Sequence, residues 1–275
     1  MAVGEDVSEF SLGDHVYYAG DITRQGSNAE YQLVDERIVG KKPKSLSHAE
    51  AAALPLTAIT AWEMLFEHLA IKQQPPTSKD KSAEVILVVG AAGGVGSIFL
   101  QLAKAITGAT IIATASRESS QQWVKKLGAD YVVDHSTALK PQIDALIANE
   151  GVGQVTHVAS LNSTASYFDT YIDLLVPFGK IAMIDDPETP LDIMKLKMKS
   201  LSFHIEFMFA RSMFNAADMQ EQSHLLNRVA ELIDLGYIQT TVGKNLGVIN
   251  AENLKAAHQE LESGTSIGKL VLQGF

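Results

Sequence analysis

The sequence contains no cysteine among its 275 residues. Such a chain forms no disulfide, carries no thiolate nucleophile and cannot build a zinc site that requires cysteine ligands. Positive charge is also scarce, because 22 Lys and Arg residues stand against 32 Asp and Glu residues and leave a formal net charge of −10 at pH 7. This acidic balance makes nucleic acid and anionic membrane surfaces poor partners. The absence of cysteine makes a reducing cytoplasm the expected location.

An export signal and an uninterrupted membrane-length apolar run are also missing. The first ten residues, MAVGEDVSEF, are acidic and do not lead into an apolar segment. Residues 85–103 carry no charge, but five of them are Gly or Ser, which favours a strand, a turn and a helix over a membrane span. With 46% apolar and 20% charged residues, the composition is that of a folded chain with one large domain or two smaller ones.

Short apolar runs alternate with helical segments from residue 84 onward. EVILVVG (84–90) and ATIIATA (109–115) are continuous apolar runs, as expected for central strands buried on both faces. Between them, residues 95–107 have an apolar stripe with helical spacing, and Gly108 is placed to end the helix. This pattern predicts the crossover unit of an α/β protein with a doubly wound, Rossmann-type parallel sheet.

The same alternation continues along the chain and favours a six-stranded sheet. We expect the apolar segment 201–209 to be the last strand, at an edge that pairs with a second copy and forms a homodimer. The other predicted strands are 131–133, 155–159 and 180–184, and the predicted helices are 121–127, 142–148 and 167–175.

The two ends of the chain lack this alternation of strands and helices and predict a second, mostly β domain. Near the start, residues 15–19 and 29–34 look like strands of a small barrel or sandwich. Asn250 is placed to cap a helix, and we expect the C-terminal tail to return to this first domain. The predicted elements of the C-terminal part are a helix over 219–235, strands at 241–243 and 269–272, and a helix over 251–261. The predicted domains are 1–55 with 240–275, and 56–239.

A glycine-rich turn, GAAGGVG (90–96), follows the first central strand and opens the next helix. The dinucleotide-binding pattern aligns on Ala91, Gly93 and Gly96, with alanine in place of the first glycine. In this context the backbone N–H groups near Gly94 and Val95 can bind a pyrophosphate, assisted by the helix dipole. A tight turn selected only for packing is the alternative.

The end of the second central strand distinguishes between dinucleotides. An NAD site usually places Asp or Glu there, but this chain has Ser116 and Arg117. A guanidinium suits a 2′-phosphate, so the sequence favours NADP(H). If the Glu118 carboxylate turned inward instead, the preference would reverse. S-adenosylmethionine ranks last, because its ribose usually requires an acidic partner.

Several segments carry a resemblance to the medium-chain dehydrogenase/reductase superfamily, in its quinone oxidoreductase branch. The matching segments are AAALPLTAITAWEMLF, GAAGGVG, KKLGADYVVDH, PFGKIAMID and GKLVL. More narrowly, EYQLVDERIVGKKP and KSLSFHIEFMFARSMF resemble the zinc-type alcohol dehydrogenase-like proteins. The resemblance implies that the mostly β domain is GroES-like. The first strands of the family pattern are not in this sequence, so we expect a fragment with exposed barrel edges.

The resemblance also implies which residues contact the cofactor. Besides Ala91 and Gly96 in the turn, these are Ala92, Gly93, Gly94 and Val95 at the pyrophosphate, Ser116, Arg117 and His135 on the adenosine side, Leu161, Ile184 and Asp185 near the nicotinamide ribose, and Thr60 and Phe207 nearer the ring. His135 has a second reading as an exposed loop residue, and Thr60 as a helix residue whose hydroxyl bonds back to the chain.

The expected activity is a zinc-independent, NADPH-dependent transfer of hydride to a quinone, an enone or a related carbonyl. Alternatives are an alcohol or aldehyde dehydrogenase and a catalytically silent NADPH-binding protein. The sequence does not identify a catalytic residue. Tyr17, Tyr18, Thr60 and water are open possibilities for the hydrogen-bond donor to the carbonyl. No metal ligand is assigned.

Overall fold

The computed structural model describes residues 2–274, which divide into two compact units. Residues up to Thr60 and from Phe207 onward form the first unit, and Ala61–Glu206 form the second. In chain order the strands are β1 (Val16–Tyr18), β2 (Val39–Lys41), β3 (Val85–Val89), β4 (Thr110–Thr114), β5 (Tyr131–Val133), β6 (His157–Ser160), β7 (Lys180–Met183), β8 (Ser202–Ile205), β9 (Val242–Asn245) and β10 (Lys269–Val271).

The helices are numbered in the same way. They are α1 (His48–Ala52), α2 (Pro55–Trp62), α3 (Gly94–Ile106), α4 (Glu118–Lys126), α5 (Leu139–Glu150), α6 (Thr164–Leu174), α7 (Ala210–Met213), α8 (Glu221–Asp234) and α9 (Ala251–Glu262). A wider π-helical turn, Glu63–His68, follows α2, and 3₁₀ turns cover Glu36–Ile38 and Ile193–Lys199. No helix within residues 2–274 has the length and apolar character needed to cross a membrane.

The second unit is built on one six-stranded parallel sheet with the order β5-β4-β3-β6-β7-β8. This confirms the predicted Rossmann-type α/β fold, with the crossover through α3 and with β8 at the edge. All five residues of β3 are buried, as a continuous apolar run in a central strand requires. The predicted strand at 201–209 ends earlier, at Ile205, because the chain turns into α7.

The two faces of this sheet differ. Leu87, Val158 and Ile181 are opposite one another on β3, β6 and β7 and belong to an apolar core that includes residues of α5 and α6. The opposite face is also apolar at β3, whose residues are all buried, but it carries ionisable side chains that include His157 at the start of β6 and Lys180 opposite it on β7. Burial of apolar side chains on both faces explains why the strands form, and the ionisable side chains among them need specific partners.

The first unit contains two small sheets. β1 pairs antiparallel with β2, and β10 pairs parallel with β9. The strand predicted at 29–34 is wrong, because residues 31–34 adopt no regular structure and leave Tyr31 and Leu33 exposed. The chain then enters a 3₁₀ turn in which the Asp35 carboxylate accepts a hydrogen bond from Arg37 N–H at 3.0 Å.

Residues 56–60 and 207–239, which the predicted boundaries place in the larger domain, lie in the first unit. For α8, the cause is its packing on β2. The buried Tyr17 hydroxyl donates to the Leu226 carbonyl at 2.6 Å, and a Cβ at Gly40 would lie only 2.5 Å from Leu226 Cβ. An apolar helix side that rests on β2 holds α8 in this unit.

The C-terminal tail belongs to the first unit. Val271 of β10 packs with Ala49 and Ala53 in a small apolar cluster. The Asn250 side chain caps α9 by accepting a hydrogen bond from Asn253 N–H at 2.8 Å, which confirms the predicted cap.

Candidate cofactor site

The turn between β3 and α3 is held by backbone and hydroxyl groups. Gly90 follows β3 with φ +79°, a conformation that favours glycine, and its N–H donates to Thr114 Oγ1 of β4 at 3.2 Å. The Gly93 N–H donates to the Gly90 carbonyl at 3.1 Å and closes the turn. The loop geometry is therefore fixed without any ligand.

The first turn of α3 provides the anion-binding groups. Gly93 is the N-cap and has no side chain to occupy the helix start, so the first N–H groups of α3 lack intrahelical partners. Ala92, Gly93, Gly94 and Val95 are all partly exposed. A Cβ at Gly93 would meet only the Gly90 carbonyl, at 3.4 Å, which shows open space above this residue. A pyrophosphate fits such a helix terminus.

Two residues support the turn from its buried side. Ala91 is fully buried, and a Cβ at Gly96 would lie 2.6 Å from Ala91 Cα. Glycine at 96 thus allows α3 to approach the preceding chain. Sequence reasoning missed Ser97 and Trp123 in this support: Ser97 Oγ donates to the Gly93 carbonyl at 2.7 Å and accepts from Trp123 Nε1 at 2.8 Å. Their separation in sequence gives no signal for this contact.

Ser116 and Arg117 follow the end of β4, which pairs with β3, so they lie at the same edge of the sheet as the turn. Ser116 is partly buried and Arg117 is exposed. The Arg117 N–H donates to Ser120 Oγ at 3.2 Å, which fixes the start of α4. The Glu118 carboxylate is exposed and accepts a hydrogen bond from Gln122 Nε2 at 3.1 Å, one turn further along α4.

His135 lies in the exposed loop after β5. Its carbonyl accepts a hydrogen bond from the Tyr167 hydroxyl at 3.2 Å. The neighbouring Asp134 carboxylate accepts from Ser136 N–H at 2.8 Å, and this hydrogen bond lowers the pKa of Asp134. The imidazole of His135 is accessible to a ligand at the same edge of the sheet.

Leu161 and Ile184 continue β6 and β7 beyond their last paired residues. Leu161 N–H donates to Val89 O at 3.1 Å, and Ile184 N–H donates to Ser160 O at 3.3 Å. Both residues are partly exposed, so the structure brings them together at the carboxyl edge of the sheet. In open α/β sheets this edge is where ligands bind.

The Asp185 carboxylate accepts hydrogen bonds at the start of α6. The donors are Thr164 N–H, at 2.9 Å, and Thr164 Oγ1. A buried hydrogen-bond network continues from Thr164. Ser160 Oγ lies 2.8 Å from Thr164 Oγ1 and 2.8 Å from the Tyr171 hydroxyl. Burial raises the pKa of Tyr171, so its hydroxyl stays neutral and serves this network.

Thr60 and Phe207 belong to the first unit. Thr60 Oγ1 donates back to the Leu56 carbonyl at 3.1 Å, which agrees with its reading as a helix residue. Phe207 is 49% exposed and packs edge-on against Phe209, with ring centroids 5.8 Å apart.

The two candidate tyrosine donors differ. Tyr17 was wrong as a candidate, because its buried hydroxyl already donates to the Leu226 carbonyl and burial raises its pKa. Tyr18 is partly exposed, and partial burial also raises its pKa. Across residues 2–274, no three His, Asp or Glu side chains gather in a group that could hold a metal ion.

Comparison with known proteins identifies the family. The family described as zinc-binding dehydrogenase matches residues 94–227. A zinc-type alcohol dehydrogenase-like protein of Staphylococcus aureus is 42% identical over 271 residues, which cover 98% of this chain and 78% of the relative.

Two solved structures share the fold. A protein of Rhizobium etli, assigned to the zinc-dependent alcohol dehydrogenases, has 51% identity and a TM-score of 0.92, covering 100% of this chain and 78% of its own. Escherichia coli quinone oxidoreductase in complex with NADPH has 24% identity and a TM-score of 0.77, covering 98% of this chain and 78% of its own, and shows the common fold. This chain is an oxidoreductase of the medium-chain dehydrogenase/reductase superfamily that resembles zinc-type alcohol dehydrogenase-like proteins and shares its fold with a quinone oxidoreductase.

Proposed function

We propose that this protein is a zinc-independent, NADPH-dependent oxidoreductase that transfers a hydride to a quinone, an enone or a related carbonyl. The observation that carries the proposal is the combination of an open helix terminus at Gly93 and Gly94 with Ser116 and Arg117 after the adjacent strand β4. The first feature suits a diphosphate and the second suits a 2′-phosphate.

The chain's own groups bind and orient the cofactor. The N–H groups of Ala92, Gly94 and Val95 bind the diphosphate, Gly93 allows it to approach the backbone closely, and the positive end of the α3 dipole favours its charge. The bound nicotinamide supplies the hydride. Leu161 and Ile184 pack against the nicotinamide ribose. Asp185 acts indirectly, because its carboxylate fixes the start of α6. Thr60, His135 and Phe207 complete the proposed contacts.

Selection of NADPH over NADH rests on Arg117. Its guanidinium is exposed beside Ser116, whereas the Glu118 carboxylate accepts a hydrogen bond from Gln122. A hydrogen bond to a charged group contributes roughly 1.5 to 3 kcal/mol, which corresponds to roughly a tenfold to hundredfold preference for the 2′-phosphate. The E. coli quinone oxidoreductase that shares the fold also binds NADPH.

Zinc independence rests on the ligand chemistry of this chain. The sequence offers no cysteine, although the family takes its description from zinc-binding dehydrogenases. A quinone or enone accepts a hydride without a metal when a donor stabilises the developing oxyanion. Reversible oxidation of alcohols or aldehydes is the competing activity, in line with the names of the more similar relatives.

The proposed assembly is a cytoplasmic homodimer paired through β8. β8 is an edge strand with Ile205 66% exposed, and such an edge favours pairing with a second copy. Size-exclusion chromatography tests the pairing, because a monomer at micromolar concentration contradicts it.

Fluorescence and turnover together test the proposed function. Trp123 contacts the first turn of α3 through Ser97, so its emission reports cofactor binding. We expect NADPH to bind more tightly than NADH and to be oxidised by quinones or enones equally well with and without chelator. Turnover lost with chelator contradicts zinc independence. Tight NADPH binding with no turnover on any quinone, enone or alcohol supports the silent binding protein instead.

A further inference from the structure

A polar cluster in the second unit lies at the end of the edge strand β8. Glu206 Oε2 is 2.9 Å from His68 Nε2, and the rings of His68 and His204 have centroids 5.6 Å apart. His68 is contributed by the π-helical turn that follows α2, whereas Glu206 follows the last residue of β8. The cofactor contacts proposed above do not use these residues.

Glu206 is buried in an unusual way. Its side chain is only 2% exposed, and Oε1 has no hydrogen-bond partner among residues 2–274. His204 Nε2, two residues earlier on the same strand, is likewise buried without a partner in the described part of the chain. Buried polar atoms without partners are costly, so their retention indicates a ligand, a water molecule or a proton-transfer role.

The position of Glu206 connects it to the cofactor edge. Met183 is opposite Ile205 in the β7–β8 pair, and Glu206 N–H donates to the Met183 carbonyl at 2.9 Å. Ile184 and Glu206, one residue further on each strand, are therefore neighbours on the same face of the sheet. Ile184 is the residue that we place beside the nicotinamide ribose.

His68 provides a route to solvent. Its side chain is 28% exposed, while its Nε2 faces the buried Glu206 carboxylate. The ionisable groups around it include Lys180, whose Nζ donates to the Leu69 carbonyl at 2.8 Å, His204, and His157 opposite Lys180. Glu63 and Glu67 lie on the same turn as His68. Burial, together with the charges of His68 and Lys180, lowers the pKa of His204 and keeps its imidazole neutral near pH 7.

We propose that His68 and Glu206 form a proton relay that supplies the proton accompanying hydride transfer, an inference that rests on the proposed function. A quinone that accepts a hydride becomes a hydroquinone monoanion, because its quinoid π bonds rearrange into an aromatic ring. Its phenolate oxygen then takes up one proton and forms an O–H bond. The Glu206 carboxyl group gives up the proton for this O–H bond. The resulting carboxylate takes a proton from the His68 imidazolium, and His68 takes one from water.

The test uses near-isosteric variants of the full chain. Glu206→Gln and His68→Asn should each lower kcat for quinone reduction roughly a hundredfold, the usual size of general acid catalysis. They should also flatten the pH profile of kcat and change its solvent isotope effect, while the Kd for NADPH stays within about twofold of wild type. The exposed pair His224 and Glu221, 3.3 Å apart on α8, supplies matched controls, and His224→Asn should leave every value unchanged.

A readout without turnover accompanies these kinetics. In the cofactor-free protein, the imidazole NMR signals of His68 should shift in Glu206→Gln and stay in place in Glu221→Gln. If the wild type turns over and both relay variants show the same kinetics, the relay is wrong and the proposed function stands. A lower kcat with an unchanged pH profile and isotope effect also overturns the relay, because that pattern marks a structural role. NADPH binding by wild type without reduction of any quinone or enone overturns the proposed function, and the relay with it.

Discussion

The glycine-rich turn and the His68–Glu206 pair lie at the same carboxyl edge of the parallel sheet. They differ in whether their polar groups have hydrogen-bond partners. In the turn, Gly90 and Gly93 donate to defined acceptors, and Ser97 is bonded on both sides. At the end of β8, one oxygen of a buried carboxylate has no partner within residues 2–274.

This difference separates two ways of preparing a sheet edge for a ligand. The turn is preorganised by backbone geometry, so its binding strength should depend on steric fit. The β8 cluster retains unsatisfied hydrogen-bonding capacity, so its contribution should depend on pH and on proton transfer. Substitutions that act on one region and leave the other intact test whether the two roles are separate.

The largest effect should come from closing the space at Gly96. In Gly96→Val, the new Cβ meets the backbone of Ala91, with Ala91 Cα 2.6 Å away, and backbone cannot move aside cheaply. We expect about 3 kcal/mol or more of lost stability and loss of NADPH binding. Urea denaturation and cofactor titration measure both. Gly26→Val, where no atom lies within 4 Å of the added Cβ, is the control and should change neither.

The next effect concerns cofactor selection at Arg117. Arg117→Ala should weaken NADPH binding roughly tenfold to a hundredfold, because a charge-assisted hydrogen bond to the 2′-phosphate is lost. NADH affinity should stay nearly constant. Competition titrations with both cofactors measure the ratio, and Arg24→Ala at an exposed loop position serves as the control. An equal loss for both cofactors would contradict a role in selection.

A smaller effect should come from His157, at the start of β6. Burial, and then the charge of Lys180, lowers the pKa of His157 to about 4 from an ordinary value of 6.5. The unfolded state therefore binds the proton more readily, and stability present above pH 6.5 is lost as the pH falls towards 4. We expect a loss on the order of 2 kcal/mol, after allowance for partial exposure.

Denaturation of wild type at pH 7 and pH 4.5 measures this loss. His157→Asn should reduce the difference between the two pH values, whereas His258→Asn, at an exposed position of α9, should leave it as in wild type. An identical pH dependence in His157→Asn and wild type would assign the loss to other groups.

The smallest effect should come from the support beneath the turn. Trp123→Phe removes the hydrogen bond to Ser97 Oγ, and we expect a loss of about 1 kcal/mol in stability with a modest weakening of NADPH binding. Trp62→Phe is the matched control, since its ring packs edge-on against Phe66. Equal effects of the two substitutions would show that the Ser97 contact does not support the turn.

The sequence predicts the turn well because its determinants are local. Glycine spacing after a continuous apolar strand is visible directly, and β3, α3 and β4 form close to the expected residues. The strand expected at 29–34 fails because apolar alternation alone does not provide a partner strand. The position of α8 in the first unit depends on the contact of Leu226 with Gly40 and Tyr17, which are far away in sequence.

The β8 cluster could not be predicted for the same reason. His68 and Glu206 are 138 positions apart, and only the register of the sheet and the turn after α2 bring them together. The HIEF segment predicts a strand, but it does not show that the Glu206 carboxylate is buried. Networks that join distant residues require the tertiary structure.

A crystal structure with NADPH bound tests the central claim most directly. The account predicts the diphosphate on the N–H groups of residues 92, 94 and 95 and the 2′-phosphate within hydrogen-bond distance of the Arg117 guanidinium. A dinucleotide whose ribose hydroxyls are bound by the Glu118 carboxylate, with no phosphate contact to Arg117, would contradict it.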